Sequence, residues 1–113
     1  MEIWHNPRCS KSRQALAILR ENRIEPDVRL YLDRPPTAAE LDSVIAALGL
    51  ASAHDLIRTC EPEYKDAGLS RNTRESALIA AMAAHPKLIE RPVVIDGGRA
   101  VIGRPPERVL ELV

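Results

Sequence analysis

Hydrophobic positions alternate near the two ends of the chain and recur at helical spacing in between. A short apolar run at Ile3-Trp4 predicts a first strand over 2–5, closed by Pro7. Ser12, Ala15, Leu16 and Leu19 share one face of a helix over about 10–22. Val28, Leu30 and Leu32 alternate after Pro26 and predict a second strand. The opening stretch therefore reads β-α-β, its strands parallel across a right-handed crossover.

Pro35-Pro36 stop that strand, and the helical period returns. Thr37 and Glu40 form a capping box ahead of Leu41, Val44, Ile45 and Leu48, and Gly49 ends the helix. Ser52 and Asp55 start a short helix with Leu56 and Ile57, and residues 61–67 form another, ended by Gly68. Asn72 and Glu75 read as the cap of an alanine-rich helix to about Ala84, with Pro86 as its stop. Val93-Val94-Ile95 and residues 99–102 flank Asp96-Gly97-Gly98, a β-hairpin with glycines where the turn needs positive φ. Pro105 or Pro106 suits the first turn of a final helix bearing Val109, Leu110, Leu112 and Val113. The order is β-α-β, a helical insert over about 37–88, then β-β-α. Both ends of the insert return to the sheet, so residues 1–113 are expected to form one α/β domain with a helical subdomain.

Composition narrows the choice of partners. The 113 residues suffice to close a core, which must be aliphatic because aromatics make up 3% and Phe is absent. Sixteen basic and sixteen acidic residues cancel, which gives no argument for nucleic acid or an anionic membrane and makes a monomer the expectation. No apolar run is long enough to span a bilayer. The N-terminus opens as a strand with no signal-peptide pattern, so a cytoplasmic location is expected. Cys9 and Cys60 are too few for a disulfide scaffold. Without C-x-x-C or paired-histidine spacing, no metal site is expected.

The chemistry concentrates in His5-Asn6-Pro7-Arg8-Cys9-Ser10-Lys11-Ser12-Arg13. Cys9 stands at the strand-to-helix junction, where unpaired N–H groups converge and the helix dipole is positive. Arg8, Lys11 and Arg13 surround it. A free thiol, with pKa about 8.5, is only ~3% ionised at pH 7. Lowering that pKa by about two units requires about 2.7 kcal/mol of preference for the thiolate. The helix terminus, a protonated His5, nearby cations and a hydroxyl bond from Ser12 are the expected sources. An inert buried cysteine is the plain alternative, but such cysteines sit in apolar runs. His5 alone would read as a strand-end histidine bonded to backbone, and His54 and His85 as surface residues of the helical insert.

Four segments in register carry a resemblance: His5 to Arg13, Leu56-Ile57-Arg58, Glu90-Arg91-Pro92-Val93-Val94 and Gly103-Arg104-Pro105-Pro106-Glu107. Together they resemble the glutaredoxin-coupled arsenate reductase family, the ArsC family, from Ile3 to Val113. The element order is likewise that of a thioredoxin-like fold. The resemblance implies that Cys9 attacks the arsenic of bound arsenate, with His5 lowering the thiol pKa and Ser12 hydrogen-bonding the thiol. It implies that Arg58, Arg91 and Arg104 hold the oxyanion. Glutathione would then attack the adduct as co-substrate, glutaredoxin would supply reducing power, and no tightly bound cofactor is needed. Guanidinium groups suit a tetrahedral dianion because they stay charged and grip two oxygens at once.

Each arginine has a plain alternative as a solvated surface charge. Arg91 departs furthest from it, preceding Pro92 where thioredoxin-like folds place a cis-proline facing the active cysteine. A cis Arg91-Pro92 bond is therefore expected. Ser10-Lys11 stand where better-known members carry Gly-Thr, and Arg8 is an added cation. Cys60 is a second thiol, able to resolve the adduct only if it reached Cys9. Two other functions stay open: a glutathione-dependent thiol or disulfide reductase for which arsenate is not the physiological substrate, and a redox-responsive binding protein of the same fold. The latter resembles a C-x-x-C switch, whose second position here is Ser12. A tyrosine-phosphatase-like mechanism is excluded, because Ala15 stands where its loop needs an arginine.

Overall fold

A computed structural model describes all 113 residues. The chain forms two compact units, one of residues 1–34 with 91–113, the other of residues 35–90.

The first unit holds a four-stranded sheet of β1 (Glu2–Trp4), β2 (Asp27–Arg29), β3 (Val93–Asp96) and β4 (Arg99–Ile102), in the order β2-β1-β3-β4. β1 runs parallel to β2 with Ile3 opposite Val28, and antiparallel to β3 with Ile3 opposite Val94. Helix α1 (Ser10–Glu21) links β1 to β2 and buries Ser12, Ala15, Leu16 and Leu19, the face its spacing predicted. Those three aliphatic residues pack with Ile3, Val94 and Val101 of the sheet and with Val109 and Leu112 of the C-terminal segment. The result is a mixed α/β, thioredoxin-like arrangement.

Three details depart from expectation. β2 stops at Arg29, because the amides of Asp33 and Arg34 both donate to the Leu30 carbonyl (3.0 and 2.9 Å) and curl the chain into a turn. Leu30 and Leu32 therefore lie beyond the strand. The C-terminal segment Pro106–Leu112 is a 3-10 helix rather than an α-helix. Its buried positions, Pro106, Val109 and Leu112, recur every third residue, as three residues per turn require, and Leu110 and Val113 stay exposed. In the hairpin only Gly97 takes positive φ (62°), which fits a two-residue turn needing glycine at its first central position.

The second unit is helical. α2 (Ala38–Leu48) has both bonds of the Thr37–Glu40 capping box and ends at Gly49 in the left-handed region. A 3-10 turn (Ala53–Asp55), α3 (Pro62–Asp66), α4 (Glu75–Ala84) and a second 3-10 turn (Pro86–Leu88) follow. The short helix expected to carry Leu56 and Ile57 is only the first of these turns, and Ile57 instead forms a β-bridge with Ile89. The Asn72–Glu75 cap does not form. Arg74 is the N-cap, and the Glu75 carboxylate accepts from the Ala53 amide (2.9 Å) and the Ser52 hydroxyl, tying α4 to the preceding turn. His54 is half-buried with Nε2 3.1 Å from the Thr73 carbonyl, whereas His85 is exposed. No helix is long and apolar enough to cross a membrane.

Candidate active site

Cys9 is the N-cap residue of α1 and is 8% exposed. Asn6 builds the loop that presents it. The Asn6 carbonyl accepts from the Cys9 amide (3.0 Å), its Oδ1 from the Arg8 amide (3.0 Å), and its own amide donates to Ser12 Oγ (3.0 Å). A side-chain oxygen accepting from the amide two residues on is an Asx turn, which Asn-Pro dipeptides favour.

Two Arg-Pro junctions of the same unit converge on the sulfur. Arg91-Pro92 is cis, as expected, and Arg104-Pro105 is cis as well. The Gly103 amide donates to the Pro92 carbonyl (2.8 Å), and a Cβ on residue 103 would lie 2.8 Å from Pro92 Cγ, so the close approach depends on glycine. Arg104 Nε donates to the Arg91 carbonyl (2.7 Å), and Arg104 Nη2 lies 3.8 Å from Cys9 Sγ. The Arg91 guanidinium also acts on the Cys9 sulfur, favouring its anion.

Burial alone would push the Cys9 thiol up. The Arg91 hydrogen bond, the main-chain N–H of Ser12, the Arg91 charge and the N–H of Lys11 outweigh it and hold the thiol below its ordinary value. These amides favour the anion from nearby without completing a capping hydrogen bond to the sulfur. For Arg91, burial opposes the cation, but Cys9 and the Tyr31 hydroxyl strengthen it. The guanidinium is therefore a fixed positive charge beside a readily ionised sulfur.

His5 does not play the cationic part expected of it. Burial, then the charges of Arg20 and Arg13, push its pKa down, so the imidazole is neutral at pH 7. Its Nδ1 lies 2.7 Å from Ser12 Oγ. The Ser12 hydroxyl is thus engaged by His5 and by the Asn6 amide, and Ser12 acts on the sulfur through its main chain instead.

The structure brings Cys9, His5, Ser12, Arg91 and Arg104 together in one unit. Arg58 belongs to the helical unit, where its guanidinium pairs with Glu90 (3.0 Å) and Glu61 (3.3 Å). Another of its nitrogens lies 3.8 Å from Sγ of Cys60, a free and exposed thiol. Asn6 and Tyr31 escaped the sequence reading. Asn6 carried a signal, its Asn-Pro turn pair, and Tyr31 carried none beyond being a rare aromatic at a strand end.

A model of the ArsC family matches residues 4–112. The chain belongs to the ArsC family. It is 52% identical, over 100% of its own length and 96% of the relative's, to the uncharacterized protein YfgD of Escherichia coli (strain K12). It is 47% identical, over 96% of its length and 94% of the relative's, to an arsenate reductase of Neisseria meningitidis. The solved arsenate reductase from Vibrio cholerae superposes with a TM-score of 0.95 at 46% identity, covering 100% of this chain and 98% of that one. Within the first unit, the stretch from His5 to Arg13 and the two Arg-Pro junctions carry the ArsC resemblance together.

Proposed function

We propose that this ArsC-family protein reduces arsenate to arsenite, with Cys9 as nucleophile, glutathione as thiol co-substrate and glutaredoxin as the source of reducing power. The observation that carries the reading is a buried thiol, poised to ionise, with Arg104 Nη2 3.8 Å from its sulfur and the Arg91 guanidinium favouring its anion. A disulfide substrate would need the thiolate but not two guanidinium groups beside it. An oxyanion needs both, because the cations offset repulsion between thiolate and dianion. Sγ forms a bond to arsenic(V), and one arsenate oxygen leaves as water with protons from solvent. Attack by glutathione on this adduct then oxidises two thiols to one disulfide, passing two electrons to arsenic, and arsenite departs. Glutaredoxin reduces the disulfide. Arg58 is the third proposed oxyanion ligand, and its pairing with two carboxylates makes its removal less damaging than that of Arg91.

The test is arsenite formation with glutathione and glutaredoxin. Native protein is expected to turn over, Cys9→Ser to be inactive, and Arg91→Ala to lose about 100-fold or more, as for removal of a donor to a reacting oxyanion. A native protein that alkylates readily at neutral pH yet forms no arsenite would overturn the arsenate reading and redirect the search to disulfide substrates.

A further inference from the structure

A co-substrate thiol must be held beside Cys9, and a cleft next to the catalytic loop has the chemistry to hold one. The loop His5–Arg8 lines one side of a cleft of about 350 Å³, and Leu30, Leu32 and Asp33 line the other. That volume lies within the range of small-molecule sites, about 300–1,000 Å³. Its charged side chains are one of each sign, Arg8 and Asp33, and both are exposed. They do not pair with each other or with any other side chain. Each is fixed through its main chain, Arg8 by its amide on Asn6 Oδ1 and Asp33 by its amide on the Leu30 carbonyl. Between them Leu30, 39% exposed, leaves an apolar surface.

Opposite charges held in one cleft without cancelling each other match a ligand that carries both. A simple anion would meet Arg8 but be repelled by Asp33, and a simple cation the reverse. An α-amino-acid head satisfies both, carboxylate on Arg8 and ammonium on Asp33, with its methylenes against Leu30 and Leu32. Arg8 is the residue before Cys9, so the cleft adjoins the loop that presents the sulfur.

We propose that this cleft binds the amino-acid head of a low-molecular-weight γ-glutamyl thiol. The inference rests on the proposed function for its role, as the seat of the reducing co-substrate, but the binding itself requires no arsenate. Exposed ion pairs are individually weak, so affinity of about millimolar order is expected.

The test titrates isotope-labelled Cys9→Ser protein with S-methylglutathione, which binds but cannot react, and follows backbone amide shifts. Saturable changes are expected at residues 5–8 and 30–33, with Arg8→Ala and Asp33→Asn each weakening binding about three- to fivefold. N-acetyl-S-methylglutathione, which lacks the ammonium, should bind the native cleft more weakly and be indifferent to Asp33→Asn. Shifts confined to other residues, or variants that bind as tightly as the parent, would overturn the site. Cleft binding without arsenate turnover overturns the proposed function and leaves the site. Turnover without cleft binding does the opposite.

Discussion

The Tyr31 hydroxyl, on a side chain with no solvent exposure, bears on the guanidinium of Arg91, which in turn holds Cys9. Arginine has only donors, so the phenol oxygen can only accept from it, and removing that oxygen loosens the cation the thiolate depends on. A polar interaction of this kind is worth up to about 1 kcal/mol. Tyr31→Phe should therefore raise the Cys9 pKa and slow iodoacetamide alkylation about fivefold at neutral pH, with the two profiles converging at high pH where both thiols are ionised. Superimposable profiles would dismiss Tyr31 as mere packing. Cys9 was legible from its place at a helix start, and Arg91 from the proline after it. The neutrality of His5 was not, because it follows from burial and from Arg20 and Arg13 on α1, and burial is a tertiary property. The partner of the Ser12 hydroxyl was hidden for the same reason: spacing placed it near the sulfur, but only the fold shows that His5 takes it.

Elements with strong local signals formed where periodicity placed them. The buried face of α1, the capping box of α2 and the β3–β4 hairpin each follow from residues close in sequence. The departures arise where distant partners decide. Glu75 is the first residue of its helix instead of the third position of a capping box, and its carboxylate accepts from the distant Ala53 amide. The C-terminal segment winds as a 3-10 helix, so that Pro106, Val109 and Leu112 all turn inward. The contact between Gly103 and Pro92 likewise joins two elements, and it sets Arg104 beside Arg91. Gly103→Ala should force the proline ring or the β4 exit to shift, costing about 1–3 kcal/mol as overpacking does. Urea unfolding measures that loss, and slower alkylation of Cys9 should accompany it as Arg104 moves away. An unchanged midpoint with unchanged reactivity would mean that the two junctions are not mechanically linked.

At the scale of the molecule, the core of the first unit is assembled from both ends of the chain. Ala15, Leu16 and Leu19 come from the N-terminal part, and Val94, Val101, Val109 and Leu112 from the C-terminal part. This was legible only as an order of elements, β-α-β then β-β-α, since strand pairing across the intervening helices follows from connection rules rather than from any local signal. Leu112→Ala should thus cost about 2–3 kcal/mol, the lower part of the range for such truncations because the site is slightly open to solvent. Far-ultraviolet circular dichroism and Cys9 reactivity, followed together in urea, should show the earlier transition at one shared midpoint. Separate midpoints would mean that the thiol site does not depend on the shared core.

The discontinuity of that unit also sets an order in time. As the chain is synthesised, Cys9 emerges early, and the continuous helical segment 35–90 follows it. Arg91, Arg104 and the strands that seat them come after. Until they do, Cys9 has neither guanidinium. The nascent chain thus carries this sulfur without its two cations until the later segments are made, and the full set of groups that favour its ionisation exists only once the fold is in place.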